Sequence, residues 1–103
     1  MAAVRIAARC REEDISSLPK KVSVGIAGKL DILVVNPEYG KALRGELAGY
    51  RSVRIGRHRI VYRYVLATDI VWVLAVGIHK QGATADIYEK LVKLARSGGL
   101  EPE

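Results

Sequence analysis

Residues 50–76 constrain the fold of this chain more than any other stretch. They contain three segments with the length and residue pattern of β-strands, at Tyr50–Ile55, His58–Val65 and Ile70–Val76. Short turn sequences, Gly56-Arg57 and Ala67-Thr68-Asp69, separate them. Connections this short join neighbouring antiparallel strands, so the stretch predicts a meander of three strands.

The second and third strands indicate how the sheet is covered. Successive side chains of a strand point to opposite faces. One face of the second strand therefore carries Arg59, Val61, Arg63 and Val65, and the other carries His58, Ile60, Tyr62 and Tyr64. The third strand is apolar at every position, including Trp72, which predicts that both of its faces are covered.

Positive charge is concentrated around these strands. The net charge is +6, and residues 44–63 supply +5 of charge, from six arginines against the single acid Glu46. Guanidinium groups form planar forks that match phosphate or carboxylate. A solvated surface explains any one of these arginines, but the cluster indicates an anionic partner, either a nucleic acid or an acidic protein segment.

The flanking segments predict one more strand and three helices. Ala3–Ala8 alternates weakly, as a strand does, and Arg9–Leu18 has the acids and apolar spacing of a short helix. A second helix is predicted from Pro19 to the residue before Asn36-Pro37, because apolar residues recur at three- and four-residue steps. Ala85–Arg96 has the same spacing.

This order of elements predicts an α+β fold in a single domain spanning residues 1–103. We expect a small antiparallel four-stranded sheet, with an N-terminal helical hairpin and a C-terminal helix packed on one face. The longest apolar run, Ile70–Val76, is far shorter than the ~20 residues of a membrane span. No secretory signal is visible, and Cys10 is the one cysteine, so we expect a cytoplasmic protein without a metal or other cofactor.

Four pieces of the sequence together resemble the RelE/ParE superfamily, the toxins of type II toxin–antitoxin pairs. They are Leu18-Pro19 between the predicted helices; Leu43-Arg44-Gly45 with Gly49-Tyr50-Arg51; Arg54-Ile55-Gly56 with His58-Arg59-Ile60-Val61-Tyr62; and Val73-Leu74-Ala75-Val76-Gly77 with Asp86-Ile87-Tyr88. The ordered set is fairly specific for the superfamily and much less so for its branches.

Membership in the RelE branch implies cleavage of messenger RNA in the ribosomal decoding site by arginine, lysine and tyrosine side chains. By position, the resemblance assigns such roles to Arg54, Arg59 and Tyr88. His79-Lys80 stands where the branch usually has a loop arginine, and the following loop is longer. The ParE branch instead inhibits DNA gyrase and needs no nuclease residues. Both branches imply a cognate antitoxin, for which an acidic, amphipathic segment would suit the arginine face.

Cleavage by the 2′-hydroxyl of RNA needs a proton acceptor, which a permanently charged arginine cannot be. We favour His79 because the unperturbed pKa of histidine lies nearest neutrality, although an exposed loop histidine explains it as well. Tyr88 is either a catalytic group or a packing residue of its helix, and we expect a structural role for His58. Phosphate contacts are predicted from Lys80 and from the arginines Arg44, Arg51, Arg54 and Arg57. Tyr62, Tyr64 and Trp72 could stack bases, but packing explains them better.

The sequence therefore predicts a toxin that cleaves messenger RNA, aided by the ribosome, with Arg59, His79 and Tyr88 as catalytic residues. Two alternatives remain open: a ParE-like inhibitor of DNA gyrase that acts by protein binding, and an inactive relative that binds an antitoxin or RNA.

Overall fold

Five strands and two α-helices build the fold in the computed structural model, which describes residues 1–78 and 87–96. The strands are β1 (Ala3–Ile6), β2 (Lys41–Ala42), β3 (Arg51–Ile55), β4 (His58–Val65) and β5 (Ile70–Ile78). The helices are α1 (Lys20–Val35) and α2 (Ile87–Arg96), with a π-helical segment at Cys10–Ile15 and a 3₁₀ turn at Gly45–Leu47. The predicted α+β class is confirmed. Of the helices described, none is both long and apolar enough to span a membrane.

The strands form one sheet in the order β1-β5-β4-β3-β2. The predicted meander is confirmed, because β3, β4 and β5 pair antiparallel. The sheet differs from the expected four antiparallel strands in two ways. Strand β1 pairs parallel with β5, and β2 adds a fifth strand of only two residues. Neither difference could be predicted from periodicity. The direction in which two distant segments pair leaves no periodic pattern in the sequence, and a strand of two residues is too short to show one.

Each face of the sheet packs on one helix, so the expectation that all helices share one face is wrong. On one face, Ile26 and Leu33 of α1 join a core that includes Val53, Ile60, Tyr62, Val71 and Val73. On the other face, Ile87 and Leu91 of α2 pack with Val61, Leu74 and Ala75. The central part of β5, Val73–Val76, is thereby buried on both faces, whereas Trp72 is half-buried.

The predicted break between the first two helices is confirmed at Leu18-Pro19. Pro19 has ψ near 148°, outside the helical region, and α1 begins at the next residue. The first helical segment is shorter than predicted and has a π-helical turn, with the Ser16 amide donating to the carbonyl of Arg11 at 3.2 Å. The hairpin therefore consists of one short turn segment and one long helix.

A buried carboxylate stabilises an irregularity in β5. Val61 pairs with Ala75 and Tyr62 with Val73, which leaves Leu74 as the extra residue of a β-bulge. Asp14 Oδ2 accepts the amide of Val76 at 3.1 Å. The guanidinium of Arg9 donates to the Leu74 carbonyl at 2.8 Å and to Asp14 at 3.0 Å. Asp14 thus fixes the π-helical segment against the bulge.

A second buried anchor holds the connector between α1 and β3. The hydroxyl of Tyr62, a side chain with no solvent exposure, donates to the Pro37 carbonyl and accepts the Gly40 amide, each at 2.8 Å. A Cβ on Gly40 would lie 2.7 Å from the Tyr62 ring, so this close approach requires glycine. The expectation that Tyr62 packs rather than stacks on RNA is confirmed, and burial raises its pKa.

Replacing Asp14 by alanine is expected to lower the free energy of unfolding by about 3 kcal/mol, because it leaves the Val76 amide and the Arg9 guanidinium without their buried acceptor. Urea denaturation measures the change. Glu13→Ala is the matched control, since Glu13 is an exposed acid of the same segment and its loss should cost less than about 0.5 kcal/mol. Equal midpoints for the two variants would contradict the role given to Asp14.

Candidate functional site

An open groove of about 1100 Å³ lies over the β3–β4 hairpin. The described residues that line it include five cationic side chains and no carboxylate: Lys29, Lys41, Arg44, Arg54 and Arg59. Ser52 and Tyr88 are also in the lining. A concave surface lined by charges of one sign focuses the electrostatic potential on an anion, so the groove suits a polyanion or a phosphate group.

Arg54 and Arg59 form the centre of the charge. They are directly opposite partners in the β3–β4 ladder, so their side chains leave the same face of the sheet. Partners of this kind have Cβ atoms only ~5 Å apart, and like charges in such a pair are destabilising. The ladder therefore places two cationic side chains side by side on one face, where like charges cost stability and an anion between them would relieve the repulsion.

Neither guanidinium is neutralised within the described part of the chain. Arg54 donates to the Gly56 carbonyl and Arg59 to the His58 carbonyl, each at 3.3 Å, and no carboxylate of residues 1–78 or 87–96 pairs with either. The four ion pairs of these ranges use Arg9, Lys90, Arg51 and Arg96 instead. The charge of the arginine pair is therefore available to a ligand.

Tyr88 closes one side of the groove. Its hydroxyl donates to Ser52 Oγ at 3.1 Å, and Ser52 lies two residues before Arg54 on the same face of β3. Gly77 permits this approach of α2, because a Cβ there would lie 2.9 Å from Ile87 Cδ1. Gly77 is also the β5 partner of Arg59. Next to Ile87 in α2, Tyr88 thereby enters the lining of the groove.

An ion pair fastens the far end of α2. The Arg96 guanidinium makes two hydrogen bonds to the Glu46 carboxylate, at 2.6 and 2.8 Å. These bonds lower the pKa of Glu46 and raise the pKa of Arg96. Glu46 belongs to the 3₁₀ turn that follows Arg44, so the pair links α2 to a segment of the groove wall.

The structure brings together four of the predicted site residues: Arg44, Arg54, Arg59 and Tyr88. It does not bring Arg51 to them. Arg51 lies on the opposite face of β3, donates to the carbonyls of Gly40 and Glu38 at 2.8 and 3.2 Å, and faces the Glu38 carboxylate at 3.6 Å. Strand alternation turns Arg51 to that face, where it has structural contacts, and its role as a phosphate contact stays a prediction.

Two further arginine and histidine positions lie away from the groove. Arg57 is exposed in the hairpin turn and is not part of the groove lining. His58 is half-buried on the face opposite Arg59, where a structural role was expected. The predicted His79 and Lys80 fall outside the described residues, so their roles remain predictions.

Four groove residues with polar side chains were missed by sequence reasoning: Lys29, Tyr39, Lys41 and Ser52. Lys29 lies in α1, and a single lysine in a helix gives no signal of its own. Ser52 could have been found, because it shares the period-two face of Arg54. The lysines approach the groove only through the packing of distant segments.

No metal or thiol chemistry is visible in the described ranges. Histidine, cysteine and acidic residues form no cluster of three there that could hold a metal ion. Burial and the nearby Asp14 raise the pKa of Cys10 to about 12, so the thiol stays protonated near neutral pH. What the groove offers chemically is binding and charge stabilisation of a phosphate by arginine, beside a tyrosine hydroxyl.

The fold and the groove define a small α+β protein of the RelE/ParE type. The family described as ParE toxin of type II toxin-antitoxin system, parDE, matches residues 4–82. A chain of the RelBE2 toxin–antitoxin complex of Mycobacterium tuberculosis is 31% identical, covers 76% of this chain and 98% of its own, and has a TM-score of 0.69. The protein therefore belongs to the ParE toxin family of type II toxin–antitoxin systems.

The fold is also shared with more distant proteins. The isolated RelE toxin of E. coli is 22% identical, covers 90% of this chain and 97% of its own, and has a TM-score of 0.68. A chain of the intact E. coli RelBE complex is 21% identical, covers 79% of this chain and 100% of its own, and has a TM-score of 0.68. Comparison with curated proteins gave no match.

Replacing either arginine of the pair by glutamine is expected to raise the free energy of unfolding by a few tenths of a kcal/mol at low salt, because it removes the repulsion. The gain should vanish near 1 M salt, where the Debye length is ~3 Å. Urea denaturation of Arg54→Gln, Arg59→Gln and the double variant measures this.

The double variant should gain little more than either single one, since one substitution already breaks the pair. Arg63→Gln is the control, because Arg63 is opposed by Trp72 on β5 rather than by a cation. A salt-independent gain, or an equal gain in Arg63→Gln, would show that the two guanidiniums do not repel each other.

Proposed function

We propose that this toxin cleaves messenger RNA in the groove, with Arg54 and Arg59 binding the scissile phosphate. The observation that carries the proposal is the directly opposed, unneutralised arginine pair on one face of the β3–β4 hairpin. Two guanidinium forks can donate several hydrogen bonds to one phosphate, in the geometry that phosphate favours. The assignment of the chain to a toxin family supports a toxic activity.

The proposed reaction uses the RNA's own 2′-hydroxyl as nucleophile. Its oxygen forms a bond to phosphorus while the bond to the 5′-oxygen breaks, which leaves a cyclic phosphate on one fragment and a 5′-hydroxyl on the other. Negative charge grows on the non-bridging oxygens as the phosphorane forms. Arg54 and Arg59, fixed by the β ladder, stabilise that charge without having to reorganise.

The 2′-hydroxyl proton needs an acceptor other than arginine. Tyr88 is, besides Arg59, the described groove residue from the predicted catalytic set, and its hydroxyl donates a hydrogen bond to Ser52. His79 remains our first candidate for the base, with Lys80 as a phosphate contact. Tyr88 would then orient the RNA or share in proton transfer.

We expect cleavage to depend on the ribosome. The cations of the described groove lining suit phosphate contacts, and that lining holds no histidine or carboxylate that could orient the 2′-hydroxyl. Such a groove grips a phosphate but does little to align the 2′-hydroxyl. A decoding site that presents the messenger in a fixed conformation would supply that alignment.

Arg59→Ala is expected to abolish growth arrest and messenger cleavage on induced expression, with a loss of activity of about 100-fold or more, because it removes half of the charge stabilisation. Mapping of messenger 5′ ends measures the cleavage. Arg57→Ala is a matched control, since it removes the same charge two residues away but outside the groove lining. Arrest that survives in folded Arg59→Ala, or is lost equally in Arg57→Ala, would remove the arginine pair from the mechanism.

Inhibition of DNA gyrase is the alternative, and the match to a family described as ParE toxins favours it. In that case the arginine face would dock protein rather than RNA. Induced expression separates the two: intact transcripts together with a DNA-damage response would support gyrase inhibition, whereas new messenger 5′ ends would support the nuclease.

A cognate antitoxin is the proposed partner in either case. The similar RelBE2 and RelBE structures are toxin–antitoxin complexes. We propose an acidic, amphipathic segment that neutralises the groove, because its described lining carries five cations.

Co-expression with a small acidic protein encoded beside the toxin is expected to restore growth, and the two proteins should co-purify. Salt should weaken the complex if charge in the groove contributes to it. The Arg54→Gln/Arg59→Gln variant should bind the partner more weakly than wild type, by a factor measurable in calorimetry. An unchanged affinity would place the antitoxin on another surface.

A further inference from the structure

A second group of cations surrounds an aromatic side chain at the other end of the same sheet face. Trp72 of β5 is the direct ladder partner of Arg5 on β1 and of Arg63 on β4. The three side chains therefore form a row across three neighbouring strands, arginine–tryptophan–arginine. We call this set the Arg5–Trp72–Arg63 row.

The row is accessible. Arg5 and Arg63 are exposed and Trp72 is half-buried, packed at the margin of the core beneath α2. A shallow groove of about 450 Å³ runs beside it, and its described lining includes Arg5, Arg11 and Trp72 but no acid. Within residues 1–78 and 87–96, no carboxylate pairs with these arginines. In the described ranges, three cations without an internal ion pair thus lie beside an aromatic ring that is partly exposed.

The row is separate from the arginine pair. Arg59 and Arg63 lie four residues apart on β4, or roughly 13 Å at ~3.3 Å per residue. Between them, Val61 is fully buried against Leu91 and other residues of the core under α2. A ligand at one site therefore does not occupy the other.

We propose that the Arg5–Trp72–Arg63 row is a second RNA-binding surface, which takes single-stranded RNA by stacking a base against Trp72 and binding the flanking phosphates with Arg5 and Arg63. An aromatic residue on a sheet, bordered by cations, has the composition of single-strand binding sites, because every base has a face that can stack and every linkage carries a charge. An acidic peptide without aromatic residues would use the cations but offers no aromatic face to stack on the indole. The row can bind RNA whether or not the groove cleaves it.

Trp72 is the single tryptophan of the chain, so its intrinsic fluorescence reports directly on the row. The test titrates a 2′-O-methyl oligouridylate, which the proposed mechanism cannot cleave, into the full-length protein. Stacking is expected to quench the fluorescence. The quench should persist in the Arg54→Gln/Arg59→Gln variant. In the Arg5→Gln/Arg63→Gln variant, the affinity measured from the quench should fall about tenfold or more. For the Arg5→Gln/Arg63→Gln variant, the slope of log affinity against log salt concentration should become shallower by roughly 1.4, or ~0.7 for each lost phosphate contact.

A second pair of variants tests the stacking itself. Binding of a labelled oligonucleotide, followed by anisotropy in the Arg54→Gln/Arg59→Gln background, should weaken by about 5- to 150-fold in Trp72→Leu and be largely retained in Trp72→Tyr. Matching circular dichroism spectra and urea midpoints would show that both variants are folded.

Three results would overturn the proposal. The quench could disappear in Arg54→Gln/Arg59→Gln and survive in Arg5→Gln/Arg63→Gln, which would place all RNA in the groove. Equal affinity in Trp72→Leu and Trp72→Tyr would exclude stacking. A glutamate-rich peptide that quenches Trp72 where RNA does not would assign the row to a protein partner. None of these readouts depends on messenger cleavage, so they are distinct from a failure of the nuclease proposal.

Discussion

The buried carboxylate of Asp14 is the interaction on which the rest of the structure depends. It binds the Arg9 guanidinium, the Val76 amide and the Lys90 ammonium, and so joins the π-helical segment, the bulge of β5 and helix α2. The bulge matters because it resets the register of β5: beyond Leu74, Gly77 comes to lie opposite Arg59. With glycine at that position Ile87 packs closely, and Tyr88 reaches the groove. Asp14 does not line the groove, but through the bulge it affects which residue of β5 lies opposite Arg59 and how Tyr88 enters the groove.

The arginine pair of the groove acts against this stabilisation, because it places two like charges side by side. Arg54 and Arg59 are held opposite each other by the ladder of a tight hairpin, and no described carboxylate relieves them. Local conflicts of this kind are retained in proteins where they serve a function, and here the repulsion would be relieved by a bound phosphate. Arg51, by contrast, lies on the opposite face of β3, where its guanidinium donates to the Gly40 carbonyl in the connector between α1 and β3. Alternation along β3 thus turns Arg51 to one face of the sheet and Arg54 to the groove on the other.

The sheet face that carries the arginine pair also carries the Arg5–Trp72–Arg63 row, with α2 packed between them. The helix covers the apolar centre of the face and leaves its two ends cationic. The ion pair between Arg96 and Glu46 fastens the helix in this position. A toxin built this way can contact an extended polyanion at two points of one surface, which favours orientation as well as affinity.

The sequence by itself determined the meander, the break at Leu18-Pro19, the α+β class and the arginine cluster, because these follow from composition, local periodicity and short turns. Only the tertiary structure decided that β1 pairs parallel with β5 and that each face of the sheet carries one helix. It also decided that Lys29, Lys41 and Tyr88 line the groove and that Arg51 does not. These depend on contacts between segments distant in the chain. No pattern within a segment records such contacts, since they are selected by how faces and edges fit together once the chain has collapsed.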